Sequence, residues 1–264
     1  MMWIYVLVVV VLLLLAALSR WNWWRLPAGG VPILMYHKIG DPPENSSLKK
    51  LWVSKNKFIK QLAYLKKRNY KTITFEEIAQ GKICDASTVI ITFDDGYRNN
   101  YEIAAPLLKE FGYTGVFFVA VEALGKDNFW HNPAAEARIP MMNTGALLHM
   151  IADGHEIGSH TLTHPNLERV GDTTLYEEIV LSKKKLSELV KKQIVSFAYP
   201  YGKGAYTDRV QAVMKNSGYS YACSIKQGKA DLGASPYQLK RLLIRGDDTM
   251  FDFHLNLTRG KSRF

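Results

Sequence analysis

Residues 88–96 read TVIITFDDG: six residues rich in branched and aromatic side chains, Thr88 to Phe93, then two adjacent carboxylates, Asp94 and Asp95, and Gly96. An apolar run without alternation describes a strand buried on both faces, as in a parallel sheet covered by helices. Neighbouring carboxylates repel each other, so they leave such a strand for open space. A solvated Asp-Asp-Gly turn has the same composition, and this stretch alone does not choose between turn and site.

The same kind of run recurs along the chain. VPILMYH (31–37), GVFFVA (115–120), EIGS (156–159), VSFAY (195–199), YSYACS (219–224) and RLLI (241–244) all have strand composition. Between them lie helical patterns. Phe58, Leu62 and Leu65 recur at helical spacing within 54–67, and Thr74-Phe75-Glu76-Glu77 has the form of a capping box. Further helices are predicted over 102–111, 144–152, 173–191 and 206–216. Short buried strands alternating with helices predict parallel β/α units, and about seven strands in roughly 240 residues predict one barrel-like α/β domain. In such folds functional side chains stand at the C-terminal ends of strands. The polar signals of this chain fall there.

One of them follows the strand EIGS: His160-Thr161-Leu162-Thr163-His164. An i, i+4 pair places both imidazoles on one side of a helical turn. Two neutral imidazoles suit zinc, and one carboxylate from another strand would complete an open site. One aspartate of the Asp94–Asp95 pair can serve as that ligand and the other as a base. A bound dication acidifies water, which makes this a kit for metal-assisted hydrolysis of an amide or ester. The leaving group also needs an acid; His37, at the end of VPILMY, is available for it. Each of these histidines also has an ordinary structural reading.

Composition bounds the alternatives. Hydrophobic residues are 47% and charged residues 22%, which excludes a disordered chain; 19 Gly and 10 Pro are too few for collagen or a low-complexity linker. The 264 residues carry 34 Lys+Arg against 24 Asp+Glu, a net charge of +10. That excess suits anionic headgroups or an anionic lipid-linked substrate. The lysine-rich helix 182–192 has the pattern of a solvated face, and no nucleic-acid-binding motif accompanies it. Cys84 and Cys223 cannot staple a framework and lack zinc-finger spacing; separate thiols are expected, with a single bridge left open.

Residues 1–18, MMWIYVLVVVVLLLLAAL, hold no charged side chain, and Trp21, Trp23 and Trp24 follow between Arg20 and Arg25. This is the pattern of a transmembrane helix with an interfacial anchor. A cleaved signal peptide is the alternative, although its core is usually shorter and follows a basic stretch. The expected organisation is an anchor or signal over 1–19, a linker over 20–30 and one domain over 31–264. A positive-inside count favours the cytoplasm, but long domains translocate regardless of charge. The expected location is membrane-anchored with an extracytoplasmic domain.

TFDDG (92–96) and HTLTH (160–164), with FAYPYG (197–202), resemble the three signature motifs of the polysaccharide deacetylases, the NodB-like family 4 carbohydrate esterases. The resemblance runs from about residue 31 to 253. It implies a distorted (β/α)7-type barrel, a divalent metal (usually zinc) and removal of N-acetyl groups from a polysaccharide or lipid-linked sugar. By motif, Asp94 corresponds to the catalytic base, and Asp95, His160 and His164 to the metal ligands. Tyr201 corresponds to the tyrosine whose backbone N–H supports the oxyanion.

There are departures. Ala198 stands where many members carry Arg, and no late Leu-x-His is evident; His254-Leu255 does not fit it. In this the chain resembles the poly-N-acetylglucosamine deacetylases of biofilm systems. There a strand ending in Tyr-His supplies the acid, as Leu34-Met35-Tyr36-His37 would here, and a late strand similar to 240–244 implies that Arg241 holds the catalytic carboxylates. A deacylase or deformylase of lipid-linked sugars, and an inactive sugar-binding domain, remain alternatives. Trp130 and His131 can line a sugar groove or pack under a loop.

Overall fold

The computed structural model describes residues 1–263, with Leu18 described by its backbone alone. Seven parallel strands form the centre: β1 (Ile33–Tyr36), β2 (Thr88–Phe93), β3 (Val116–Val119), β4 (Glu156–Ser159), β5 (Ser196–Ala198), β6 (Tyr221–Gln227) and β7 (Leu239–Leu243). Neighbours pair in sequence order from β2 to β7, and β1 pairs with both β7 and β2. The ring is therefore closed, and the expected seven-stranded β/α barrel is present. A short outlying strand, Lys71–Thr72, pairs with β2, and Lys38–Ile39 pairs with Trp52–Val53 outside the ring.

Every side chain of β1 to β5 is buried, which is why these segments carry no alternation. Phe93 stacks on Phe117 at 4.7 Å and meets Phe58 of the outer helix Lys55–Lys67 at 5.9 Å. Helices cover the outside, with Phe58, Leu62 and Leu65 of Lys55–Lys67 buried as their spacing predicts. The Thr74 capping box forms. The predicted helix over 173–191 has a π-helical segment, Glu177–Leu181, in its middle. A helix over Met250–Arg259, opened by a Thr249–Asp252 capping box, completes the wall. Cys84 and Cys223 are free thiols.

The N-terminal helix α1 (Met2–Arg20) has 19 residues, and its described apolar side chains are exposed along nearly its whole length. Among the described residues, no helix is long and apolar enough to cross a membrane. The helix expected over 1–19 is thus present, and the span expected of it is not supported. Residues 20–30 lie along the C-terminal segment. Trp21 bridges Arg263, its indole N–H donates to Asp252 at 3.0 Å, and the Asn22 side chain donates to the carbonyls of Lys261 and Arg263. Ala28 N–H donates to Thr258 O at 2.9 Å.

At the opposite end of the barrel from the strand C-termini, Glu156 opens β4 and is 4% exposed. Burial raises its carboxyl to about 7, although Ser196 and the backbone N–H of Glu76 donate to it. The folded chain therefore holds a proton that the unfolded chain releases near 4.5. That contribution to stability is complete below the unfolded value and lost as pH rises through about 7. Glu156→Gln should match the wild type near pH 4.5 and be more stable at pH 8, by at most about 3 kcal/mol. Denaturant unfolding of both chains at the two pH values checks this; equal wild-type and variant curves at pH 8 would refute it.

Candidate active site

The C-terminal ends of the strands bring distant residues together. β2 stays hydrogen-bonded to β1 up to the site, with Asp94 N–H donating to Tyr36 O at 3.0 Å. The chain then turns through Asp95, at φ 74°, and Gly96, at φ 90°. A side chain at Gly96 would meet Val119 Cγ1 at 3.0 Å, which explains the glycine after the two aspartates. Thr161 (φ 72°), His164 (φ 64°) and Tyr201 (φ 56°) are also left-handed. Non-glycine residues in that region cost on the order of 1–3 kcal/mol each and persist only where the surroundings hold them.

Asp95, His160 and His164 converge. Asp95 Oδ1 lies 3.3 Å from His160 Nε2 and 3.1 Å from His164 Nε2, and all three residues are buried. A tetrahedral ion with ligands at about 2.0–2.1 Å separates its ligand atoms by roughly 3.3 Å, which the two Asp95 distances match, and all three ligand atoms lie within 4.8 Å of one another. The tautomer fits as well. His160 Nδ1 stands 2.7 Å from Ala198 O, and a carbonyl only accepts, so Nδ1 carries the proton and Nε2 presents its lone pair. Burial would raise the Asp95 carboxyl, but the two imidazoles hold it well below its ordinary value. The residues can therefore hold a divalent metal.

Asp94 points elsewhere. Its two oxygens accept a fork from Arg241, Nη1 at 2.6 Å and Nη2 at 2.7 Å. Arg241 is fully buried, donates Nε–H to Ser224 O at 2.9 Å and reaches Thr92 Oγ1 at 3.2 Å. Burial opposes charge on Asp94, and the guanidinium outweighs it, so the carboxyl is lowered. His37 lines the same cavity of about 310 Å³ as Asp94, Asp95, His160, His164 and Tyr201. Its imidazole is lowered by burial and partly restored by Asp95 and Asp94. The Tyr201 hydroxyl lies 3.1 Å from His164 Nδ1. His254 is outside the cavity, hydrogen-bonded to Tyr64 at 2.7 Å.

Sequence reasoning missed several supporting residues. The buried Glu178 carboxylate, in the π-helical segment, accepts from the backbone N–H of Leu162 at 2.7 Å and Thr163 at 3.0 Å and from the Thr163 hydroxyl, which pins the HTLTH loop. A π-turn in a long helix is a frequent mark of such places, but spacing does not reveal it. Trp130 stacks on His164, with centroids 4.5 Å apart, and His131 lines the cavity beside it. Both therefore belong to the site, where the sequence left packing and lining open.

A sequence profile described as polysaccharide deacetylase matches residues 82–222, more than half of the chain. The chain belongs to the polysaccharide deacetylase family. It is accordingly a hydrolase of carbon–nitrogen bonds in carbohydrates. A Bacillus subtilis protein provisionally named a polysaccharide deacetylase is 29% identical over 86% of this chain and 75% of its own. The poly-beta-1,6-N-acetyl-D-glucosamine N-deacetylase of Staphylococcus aureus is 28% identical over 77% of this chain and 71% of its own. The crystal structure of a polysaccharide deacetylase from Bacillus cereus superposes with a TM-score of 0.73 at 26% identity, over 87% of this chain and 69% of that one.

The Glu178 contacts make a prediction about this deacetylase. Residues that orient metal ligands from behind typically contribute 10–100-fold in metal affinity. Glu178→Ala should weaken binding of a divalent ion by about that factor, with the fold retained. Competition against a chelating dye, alongside circular dichroism, measures both; unchanged affinity would show that the loop needs no such tie.

Proposed function

We propose that the chain is a metal-dependent N-deacetylase of N-acetylhexosamine units in a polysaccharide or lipid-linked sugar, with zinc as the metal. The observation that carries this is the separation of the two aspartates. Asp95 faces His160 and His164, while Asp94 is held by Arg241 with its charge intact. One carboxylate is thereby assigned to the metal and the other to proton transfer.

A divalent ion at Asp95, His160 and His164 would acidify water and polarise the acyl carbonyl. Asp94 takes the proton of the attacking water, and the Arg241 fork keeps the carboxylate ionised and aimed. The left-handed turn at Tyr201 offers its backbone N–H toward the developing oxyanion. His37, in the same cavity, protonates the departing amine. Amide cleavage yields the free amine and acetate, and the proton taken by Asp94 balances the one given by His37 after exchange with solvent. The poly-N-acetylglucosamine deacetylase among the relatives favours a polymer of that sugar as substrate. The exposed apolar side chains of α1, with exposed Trp23 and Trp24 after it, support attachment to a membrane, and we place the domain on its extracytoplasmic side. Deleting residues 1–19 should move the protein to the soluble fraction; unchanged fractionation would remove that part.

Elemental analysis of chelator-free protein should find about one zinc per chain, lost in the His160→Ala, His164→Ala double variant. A positioned acid typically contributes on the order of 10²–10⁴ in rate. His37→Ala should lower the turnover number by about that factor with zinc content unchanged, Asp94→Asn should be at least as damaging, and His254→Ala should be near wild type. Acetate release from an N-acetylglucosamine oligomer is the readout. A crippled His254→Ala beside an active His37→Ala would place the acid in the C-terminal segment instead.

A further inference from the structure

Two loops that carry none of the proposed chemistry form walls of the cavity. One spans 43–51 and supplies Leu48 and Leu51; the other spans 126–140 and supplies Ala135. A single carboxylate joins them. Glu136, 2% exposed, accepts from the Ser46 hydroxyl at 2.8 Å, the Ser47 N–H at 2.9 Å, the Leu48 N–H at 3.1 Å and the Ser47 hydroxyl at 3.2 Å. From the barrel side, Lys38 Nζ reaches Glu136 at 3.4 Å. Lys38 is fully buried, with its ammonium 4.6 Å from the Tyr97 ring centroid and 5.6 Å from that of Trp52.

A buried ion pair is often no more stabilising than apolar residues of the same volume, and removing one partner is costly. Stability alone is therefore a weak reason for this pair. Its geometry offers a better one. The Leu48 amide is itself a donor to Glu136, and Ala135 is the residue before it. The distance between the two apolar walls is thus set by one carboxylate, and that carboxylate is set by Lys38, the residue after His37.

We propose that Glu136, held by Lys38, is a positioning residue that fixes the width of the cavity between Leu48 and Ala135 and so limits the scissile N-acyl group to a short one such as acetyl. The selectivity part rests on the deacetylase reading above. The cavity of about 310 Å³ must also take the sugar, so a longer acyl chain competes for space. One methylene in an apolar pocket typically changes discrimination by about 10–200-fold.

The test compares the full chain with Glu136→Gln and Ser46→Ala on N-acetyl- and N-propionyl-glucosamine oligomers. The wild type should prefer acetyl by at least about tenfold in kcat/KM. Glu136→Gln should lower that preference by about tenfold, raise KM for the acetyl substrate, and leave kcat and zinc content within about twofold. Ser46→Ala, which spares the ion pair, should shift the preference the same way by a smaller factor, so the result survives if Glu136→Gln folds poorly. Amide exchange at Ser47 and Leu48, without substrate, should be faster in Glu136→Gln. An unchanged preference in both variants overturns the proposal, as does a parallel fall of kcat and zinc at constant preference. If the wild type deacylates neither substrate, the deacetylase reading fails by itself; exchange at the wild-type rate in Glu136→Gln would then overturn the latch separately.

Discussion

Arg241 is fully buried, and Asp94 is what keeps a guanidinium tolerable there. The fork between them spans 147 residues of sequence and ties the end of β2 to β7, on either side of β1. Taking away one partner would leave the other charge buried and uncompensated, a loss of roughly 3–5 kcal/mol. The same fork decides which way each aspartate faces. With Asp94 committed to Arg241, only Asp95 turns toward the imidazoles. Two adjacent carboxylates, which repel when free, are thereby separated into different electrostatic surroundings.

The surrounding structure spends backbone strain to hold that separation. Asp95, Thr161, His164 and Tyr201 are all left-handed. Thr161 Oγ1 accepts from His164 N–H at 2.9 Å, Glu178 gathers the amides of Leu162 and Thr163, and Gly202 leaves room for Ile225 where a Cβ would stand 2.3 Å from Cγ1. The direction of Asp95, His160 and His164 is therefore set by the loops themselves, in keeping with a preorganised site.

The strands were legible because burial on both faces leaves an unbroken apolar run, as in TVIITF and GVFFVA, and the residues after them were legible because polar groups stand out at such ends. His37, Asp94, Asp95, His160, His164 and Tyr201 do share one cavity. Glu178 was not legible. On a long amphipathic helix a glutamate has the pattern of a solvated face, whereas here Glu178 is buried within the π-helical segment. Lys38 and Glu136 were hidden for a related reason: a buried ion pair has no periodicity, and its partners lie 98 residues apart. The helix Met250–Arg259 escaped notice although Thr249 and Asp252 form a capping box, because its apolar residues are interleaved with His254, Asn256 and Thr258. The exposed apolar α1 was visible as a helix.

The pairing of segments far apart in sequence bears on how the molecule is made. Trp21 and Asn22 pair with residues 261–263, and β1 needs β7 on one flank. A ribosome delivers residues 20–36 well before residues 239–263. The earlier segment thus waits with its β1 edge unpaired on that side, while β2 to β6 can already assemble beside it. Barrel closure then follows the emergence of β7, and until then β1 has only its β2 flank covered and an open edge to keep from other chains.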